Sequence, residues 1–281
     1  MPMPNPLDLP AFTTEQCDAL FAAVLVHDNL YPDAKLPATI ELDYRPEQLA
    51  QCYRLCRQIW QQGVDREALL AIIDKIGRQQ VLGPEDQRAF KEVRAKFKHL
   101  RFAYAAFDQR HRYPLTFHWL IALMGSLQDA FKNRQVVAVR RYARVLRLLL
   151  QPWPYAVLTR RIDQFQASTT ASFQRYVQQQ LAGIRSSLGK DAVTSKAFHE
   201  MRKVISRQVA IYDCLKILYP TPEHHAISQS LSTINGLMGS LHDELIARKF
   251  NKTQDYHADK FAIPTEIRRR LLALTESYPP S

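Results

Sequence analysis

The sequence predicts an all-α fold, and three observations support that prediction. Of the 281 residues only 8 are glycine, and the 16 prolines are grouped at a few places along the chain. From Pro46 onward, apolar residues recur with the 3.6-residue period of a helix. Strand patterns are nearly absent, with a short alternation at Ala38–Tyr44 as the exception. Long helices joined at proline-rich breaks fit this pattern better than a β fold with many turns.

The helical period divides the chain at residue 46. Residues 1–45 are predicted to be an irregular, proline-rich segment with one short helix near 14–26, and residues 46–281 to form the helical domain. Pro84, Pro114 and Pro222 stand where helices are expected to begin, a position that tolerates proline. The predicted helices are 46–62, 65–79, 84–109, 114–132, 134–150, 155–188, 193–218, 223–249 and 264–277.

The charge is positive overall and unevenly distributed. The net charge is +11, yet residues 1–80 hold 7 basic and 11 acidic residues, and the remainder hold 31 and 16. A positive field of this kind attracts phosphate-rich partners such as nucleic acid, polyphosphate or an anionic membrane surface. The partner is therefore expected to contact the part of the chain after residue 80.

The cysteines indicate a reducing compartment. Cys17, Cys52, Cys56 and Cys214 form no CxxC pair and no zinc-finger spacing, so buried, reduced thiols are expected. The N-terminus has no charged region followed by an apolar stretch, and no run approaches the ~20 apolar residues of a membrane span. We therefore predict a cytoplasmic protein without a signal peptide, membrane span or metal site.

An internal repeat is the most informative feature of the sequence. The segment 123–129 reads LMGSLQD and the segment 237–243 reads LMGSLHD, which is six identities in seven. Upstream of each lies a second matching pair, 90–101 and 198–209. Two helices that recur in the same order at nearly constant spacing indicate a duplicated helical unit. The predicted architecture is a helical bundle with an internal pseudo-twofold repeat, in which two halves, near 85–150 and 190–250, surround a basic groove.

Cations follow one face of several predicted helices. Lys91, Arg94, Lys98 and Arg101 fall on one stripe because they are spaced by three or four residues. Like charges at this spacing repel by a few tenths of a kcal/mol per pair, so an uncompensated stripe favours a bound anion over an ordinary solvated surface. The candidate polyanion-binding residues are Lys91, Arg94, Lys98, His99, Arg101, Arg140, Arg144, Arg147, His199, Arg202, Lys203 and Arg207.

Gly125 and Gly239 of the repeat are expected to have a structural role. A glycine within a helix costs about 1 kcal/mol relative to alanine, so each is expected to allow another helix to approach closely. Asp129 and Asp243 are expected to hold an arginine of the basic helix in place.

These residues carry a family resemblance over about residues 85–250. The basic segments resemble the CHAD domain, the conserved histidine α-helical domain, with its histidine position at Lys91 and His199. The arginine position of that pattern falls on Arg94 and Arg202. The later positions carry Lys98, His99 and Arg101 in copy one and Ser206, Arg207 and Val209 in copy two.

The resemblance implies a duplicated helical bundle whose basic cleft binds inorganic polyphosphate. Together with the charge stripes it leads us to predict a binding protein without catalytic residues or cofactor, and no P-loop, GxSxG or HExxH motif is present. Two alternatives stay open, namely a helical regulator that binds nucleic acid and a helical protein–protein adaptor whose acidic N-terminal segment covers its own groove. Oligomeric state stays undetermined by the sequence.

Overall fold

The computed structural model describes residues 10–80 and 82–278, and over that part the fold is all-α. Eleven helices and one two-residue pair of strands, Val193–Thr194 (β1) and Lys260–Phe261 (β2), account for its regular structure. The helices are α1 Thr14–Leu25, α2 Pro46–Gly63, α3 Arg66–Gly77, α4 Pro84–Phe107, α5 Leu115–Lys132, α6 Val136–Leu149, α7 Pro152–Asp163, α8 Thr170–Leu188, α9 Ser195–Leu218, α10 Pro222–Phe250 and α11 Thr265–Glu276. The proline-rich start of the chain, residues 1–9, lies outside the described residues.

The prediction of a single helix over 155–188 is wrong. The chain leaves the helix after Asp163, and α8 begins after Thr169, whose hydroxyl accepts a hydrogen bond from the Ser172 N–H at 3.2 Å. Between them, the Gln166 N–H donates to the carboxylate of Asp108 at 3.1 Å, and the Ser168 N–H donates to a carbonyl at the end of α4. These bonds replace the helical ones, so the break costs the backbone little hydrogen bonding. The extended alternation at Ala38–Tyr44 also forms no strand.

The chain folds into two compact units, and each holds one copy of the repeat. Unit 1 comprises Leu49–Ser168 with the described residues up to Cys17, and unit 2 comprises Asp18–Gln48 with the described residues from Thr169 onward. The N-terminal segment is thus shared between the units. The segment 123–129 lies on α5 of unit 1, and the segment 237–243 lies on α10 of unit 2.

An aromatic cluster lies at the core of unit 1. The ring of Trp60 on α2 packs edge-on against Phe97 of α4 with centroids 5.6 Å apart, and Phe97 lies 5.7 Å from Phe117 of α5. All three side chains are at most 2% exposed. Burial of rings of this size stabilises a domain by about 2–3 kcal/mol each, so the three helices are held together at this point.

The core of unit 2 lies around α9 and α10, which pack side by side. A loop from the N-terminal segment lies against α10, where the Asn235 amide donates to the His27 carbonyl at 3.0 Å and the Thr233 hydroxyl accepts from the Tyr31 N–H at 2.8 Å. This face of α10 is small and polar, and its groups satisfy the backbone of a segment more than 200 residues away in sequence.

All four cysteines are buried and none forms a disulfide, as expected. Among the described residues, no helix combines the length and the apolar character that crossing a bilayer requires.

Candidate anion-binding site

Arg94 of α4 lies directly over Gly125 of α5 in unit 1. A methyl group at Gly125 would come within 3.0 Å of the Arg94 Nη2 atom, so the glycine makes room for a guanidinium. The Arg94 Nε atom is buried and has no hydrogen-bond partner among the described residues. Burial lowers the pKa of Arg94, and the carboxylate of Asp129 partly offsets that change.

The same arrangement recurs in unit 2. Arg202 of α9 lies over Gly239 of α10, where a methyl group would meet its Nη2 atom at 3.1 Å. The Arg202 Nε atom is likewise buried without a hydrogen-bond partner among the described residues. Burial lowers its pKa, and Asp243 acts in the opposite direction. The repeated glycines therefore accommodate an arginine side chain of the neighbouring helix.

Two histidines stack beside Arg202. The rings of His199 and His242 lie 4.6 Å apart at 30°, and the Arg202 Nη1 atom donates to His242 Nδ1 at 3.1 Å. Burial, and next the nearby His242, lower the pKa of His199 to about 4. The Nδ1 atom of His199 is buried with no hydrogen-bond partner among the described residues. The cluster therefore offers buried nitrogen atoms, and the carboxylate of Asp243 lies 3.6 Å from His242 Nδ1.

Arg101 of unit 1 lies in a stacked environment. Its Nη1 atom is 3.3 Å from His118 Nδ1, and its guanidinium carbon lies 5.6 Å from the ring centroid of Tyr113 and 5.2 Å from that of Phe102. Lys98 contacts the same Phe102 ring at 5.6 Å. Both cations are partly buried and positioned by aromatic rings, a geometry that stabilises them by about 0.5–1 kcal/mol per contact.

Four arginines line one cleft of unit 1, of about 180 Å³, between α3 and α6. Three are the predicted Arg140, Arg144 and Arg147, and Arg78 at the end of α3 joins them. Of the described residues that line the cleft one is acidic, Asp74, which pairs with Arg147 at 2.9 Å. The helices approach closely here because Gly77 of α3 faces Ala143 of α6, so that a methyl group at Gly77 would lie 3.0 Å from the alanine Cβ.

The remaining predicted residues lie in different surroundings. Lys91 is exposed and borders a larger cavity of unit 1. His99 is 8% exposed and lies with the core side of α4, so it does not belong to the exposed stripe. Lys203 pairs with Glu200 at 2.5 Å, and Arg207 donates to the Gln180 side chain.

Sequence reasoning missed Arg78, Asp74, His118 and the position of His242. The first two lie at the end of α3, about 70 residues before the arginines they accompany, and no helical period relates them. His118 and His242 lie on the helix that follows each basic helix. His242 lies within the repeated segment 237–243, which could have indicated it, whereas His118 lies outside the segment 123–129. Scans against protein-family models, curated proteins and solved structures returned no match to this chain.

Proposed function

We propose that the chain binds inorganic polyphosphate or a similar linear polyanion through its arginine- and lysine-lined helices. The observation that carries this proposal is the α3–α6 cleft, where four arginines surround one aspartate among the described residues. Arginine grips phosphate oxygens with two donors at once, so such a cluster suits a chain of phosphates. A linear polyanion neutralises several of these charges together and relieves their mutual repulsion.

The second copy of the repeat supports the same chemistry in unit 2. His199 and Arg202 present buried nitrogen atoms that have no hydrogen-bond partner among the described residues, and His242 lies beside them. An unsatisfied buried polar atom costs about 1–3 kcal/mol, which a bound anion would offset. The pseudo-twofold relation of the two copies and a basic groove remain predictions and form part of this proposal.

Binding of labelled long-chain polyphosphate tests the proposal. We expect the affinity to fall steeply between about 50 and 200 mM NaCl, because each neutralised phosphate releases counterions. Arg140→Glu/Arg144→Glu should weaken binding roughly tenfold or more, since it removes two charge-assisted contacts and adds repulsion. Arg160→Glu/Arg161→Glu on exposed α7 makes the same charge change outside the cleft and serves as the matched control. Salt-independent binding, or equal loss in both variants, would contradict the proposal.

Nucleic acid is the second candidate, favoured by two exposed tryptophans of unit 1. Trp119 is 61% exposed and Trp153 is 77% exposed, and exposed aromatic rings are stacking platforms for single-stranded bases. Competition between polyphosphate and single-stranded DNA, with Trp153→Ala as the variant, separates the two. If Trp153→Ala abolishes binding of DNA and leaves binding of polyphosphate unchanged, nucleic acid becomes the favoured ligand.

The adaptor alternative calls for a test other than deletion of the acidic N-terminal 80 residues. That deletion would remove α2 and α3, and with them the buried Trp60 and one wall of the arginine cleft. Charge-neutralising substitutions at exposed acids such as Glu15 and Asp18 keep the fold and serve instead. Higher polyphosphate affinity in that variant would indicate that the acidic segment competes for the cations.

A further inference from the structure

A second, larger cavity lies in unit 1 where four helices have their ends. Its volume is about 960 Å³, at the upper end of the range for small-molecule sites. The last turns of α3 and α5 and the first turns of α4 and α6 surround it. Its apolar wall consists of Ile76, Leu82, Phe90, Phe131, Val136 and Val139. A surface of this kind favours a hydrocarbon over water.

The rim of the cavity is cationic. Lys91, Lys132 and Arg134 lie at its edge, and none of them forms an ion pair within the described part of the chain. Arg88 also lies at the rim, where Glu92 pairs with it at 2.8 Å. Of the described residues that line the cavity, none is acidic. The rim therefore favours an anionic group beside the apolar wall.

The polar groups at the mouth and wall are unusual in two respects. Gln79 and Arg134 take the left-handed conformation, with φ of 56° and 54°, at helix ends where glycine is favoured. The Oε1 atom of Gln128 is buried without a hydrogen-bond partner among the described residues. That oxygen is a hydrogen-bond acceptor, so a donor such as a water molecule beside the ligand would satisfy it, whereas a wholly apolar filling would not.

We infer that this cavity binds a single-chain amphiphile with an acidic headgroup, of which a long-chain fatty acid carboxylate is the simplest example. The hydrocarbon chain lies against the apolar wall, and the carboxylate lies at Lys91, Lys132 and Arg134. The site shares none of its described lining residues with the arginine cleft between α3 and α6. It is therefore distinct from that cleft, although Lys91 at its rim is also one of the candidate polyanion-binding residues.

Fluorescence titration with a dansylated undecanoate, followed by displacement with saturated fatty acids, tests the inference. Each added methylene should strengthen binding about fourfold until the cavity is full, because that is the affinity equivalent of burying one methylene. The methyl ester of the best acid should bind about tenfold more weakly, because it lacks the charge that the rim recognises. Affinity without chain-length dependence, or equal binding of the ester, would overturn the inference.

A matched pair of variants locates the site. Val136→Trp fills the cavity from a partly exposed position, whereas Val137→Trp places the same ring on the adjacent residue, which does not line the cavity. We expect about tenfold weaker fatty acid binding in the first and less than about twofold change in the second. Lys91→Glu/Lys132→Glu should weaken binding of the acid but not of the ester. Circular dichroism checks that each variant is folded.

Two further arms separate this site from other targets. Polyphosphate affinity should be unchanged in Val136→Trp, so failure of either proposal leaves the other measurable. Vesicles containing phosphatidic acid test a membrane surface as the source of the acidic lipid. Vesicle binding that Val136→Trp leaves intact, together with no binding of free fatty acid, would overturn the inference and identify a membrane surface as the target.

Discussion

At the scale of single residues, Arg94 and Arg202 are positioned by the space that a glycine leaves beside them more than by an ion pair. Arg94 and Arg202 lie over Gly125 and Gly239, within about 3 Å of where a side chain would begin. Neither forms an ion pair within 4 Å in the part of the chain described, although acids lie near enough to act on both pKa values. Arg202 gives one donor to His242, and the buried Nε atom of each arginine has no partner among the described residues, which is the property that the proposed function requires.

The lowered pKa of His199 predicts that the free energy of unfolding depends on pH. Burial and His242 lower its pKa from 6.5 to about 4. Between pH 4 and 6.5 the ring is therefore protonated in the unfolded chain and neutral in the folded chain. The free energy of unfolding should therefore fall as pH drops from 6.5 to 4, by about 1–2 kcal/mol after discounting for solvent screening. Urea unfolding across this range measures it.

The variant His199→Gln should flatten that pH profile, because it removes the titrating ring. His225→Gln, at the start of α10, is the control and should leave the profile as it is. An unchanged profile in the His199 variant would show that another group titrates in this window.

At the scale of elements, α10 is shaped by the loop that lies on it. Gly236 faces the Asp28 carbonyl, and a methyl group there would clash with that oxygen. Ser232 donates to the Asn29 carbonyl at 2.9 Å on the same face. The long helix therefore tolerates a mid-helix glycine because the loop needs the space, at a propensity cost of about 1 kcal/mol.

A pair of glycine substitutions tests this account. Gly236→Ala should lower the free energy of unfolding by about 2 kcal/mol or more, because a backbone carbonyl must move. Gly183→Ala, at an exposed position of α8 with nothing within 4 Å, should raise it by about 1 kcal/mol. Equal effects of the two substitutions, measured by urea unfolding, would contradict the close approach of the loop.

At the scale of the whole molecule, the net charge of +11 sets a balance between stability and binding. Exposed cations that repel one another destabilise the folded state and attract polyanions from solution. The arginines of α6 contribute most visibly, since this helix carries four arginines and no acid.

This balance predicts that simple salt stabilises the protein. Raising NaCl from about 50 to 300 mM shortens the screening length from about 14 to 6 Å and should raise the free energy of unfolding by about 1 kcal/mol. Arg140→Gln/Arg144→Gln should stabilise the chain at low salt and reduce that gain. Arg269→Gln loses an ion pair with Glu266 at 2.8 Å, so it should destabilise the chain at low salt and enlarge the gain in stability on adding salt. A fall in stability with salt would show that favourable ion pairs outweigh the repulsion.

The sequence by itself determined the helices, because a helix depends on residues that are close together along the chain. The sequence patterns predicted nine helices of about the right extent, and the tenth, 155–188, was wrong at a break with no proline or glycine. The prediction of Asp129 and Asp243 near the arginines is consistent with their effect on both pKa values. These features arise within a helix or between neighbouring helices, where spacing along the chain dictates which side chains share a face.

Only the tertiary structure decided which distant residues meet. Arg78 and Asp74 join the α6 arginines because α3 packs against α6, and the loop at Asp28 lies on Gly236 although about 200 residues separate them. The cavity of unit 1 exists because four helix ends meet around one apolar wall. A periodic pattern states which face of a helix is apolar but not which other face it packs against, since that choice depends on the fit of all the side chains together.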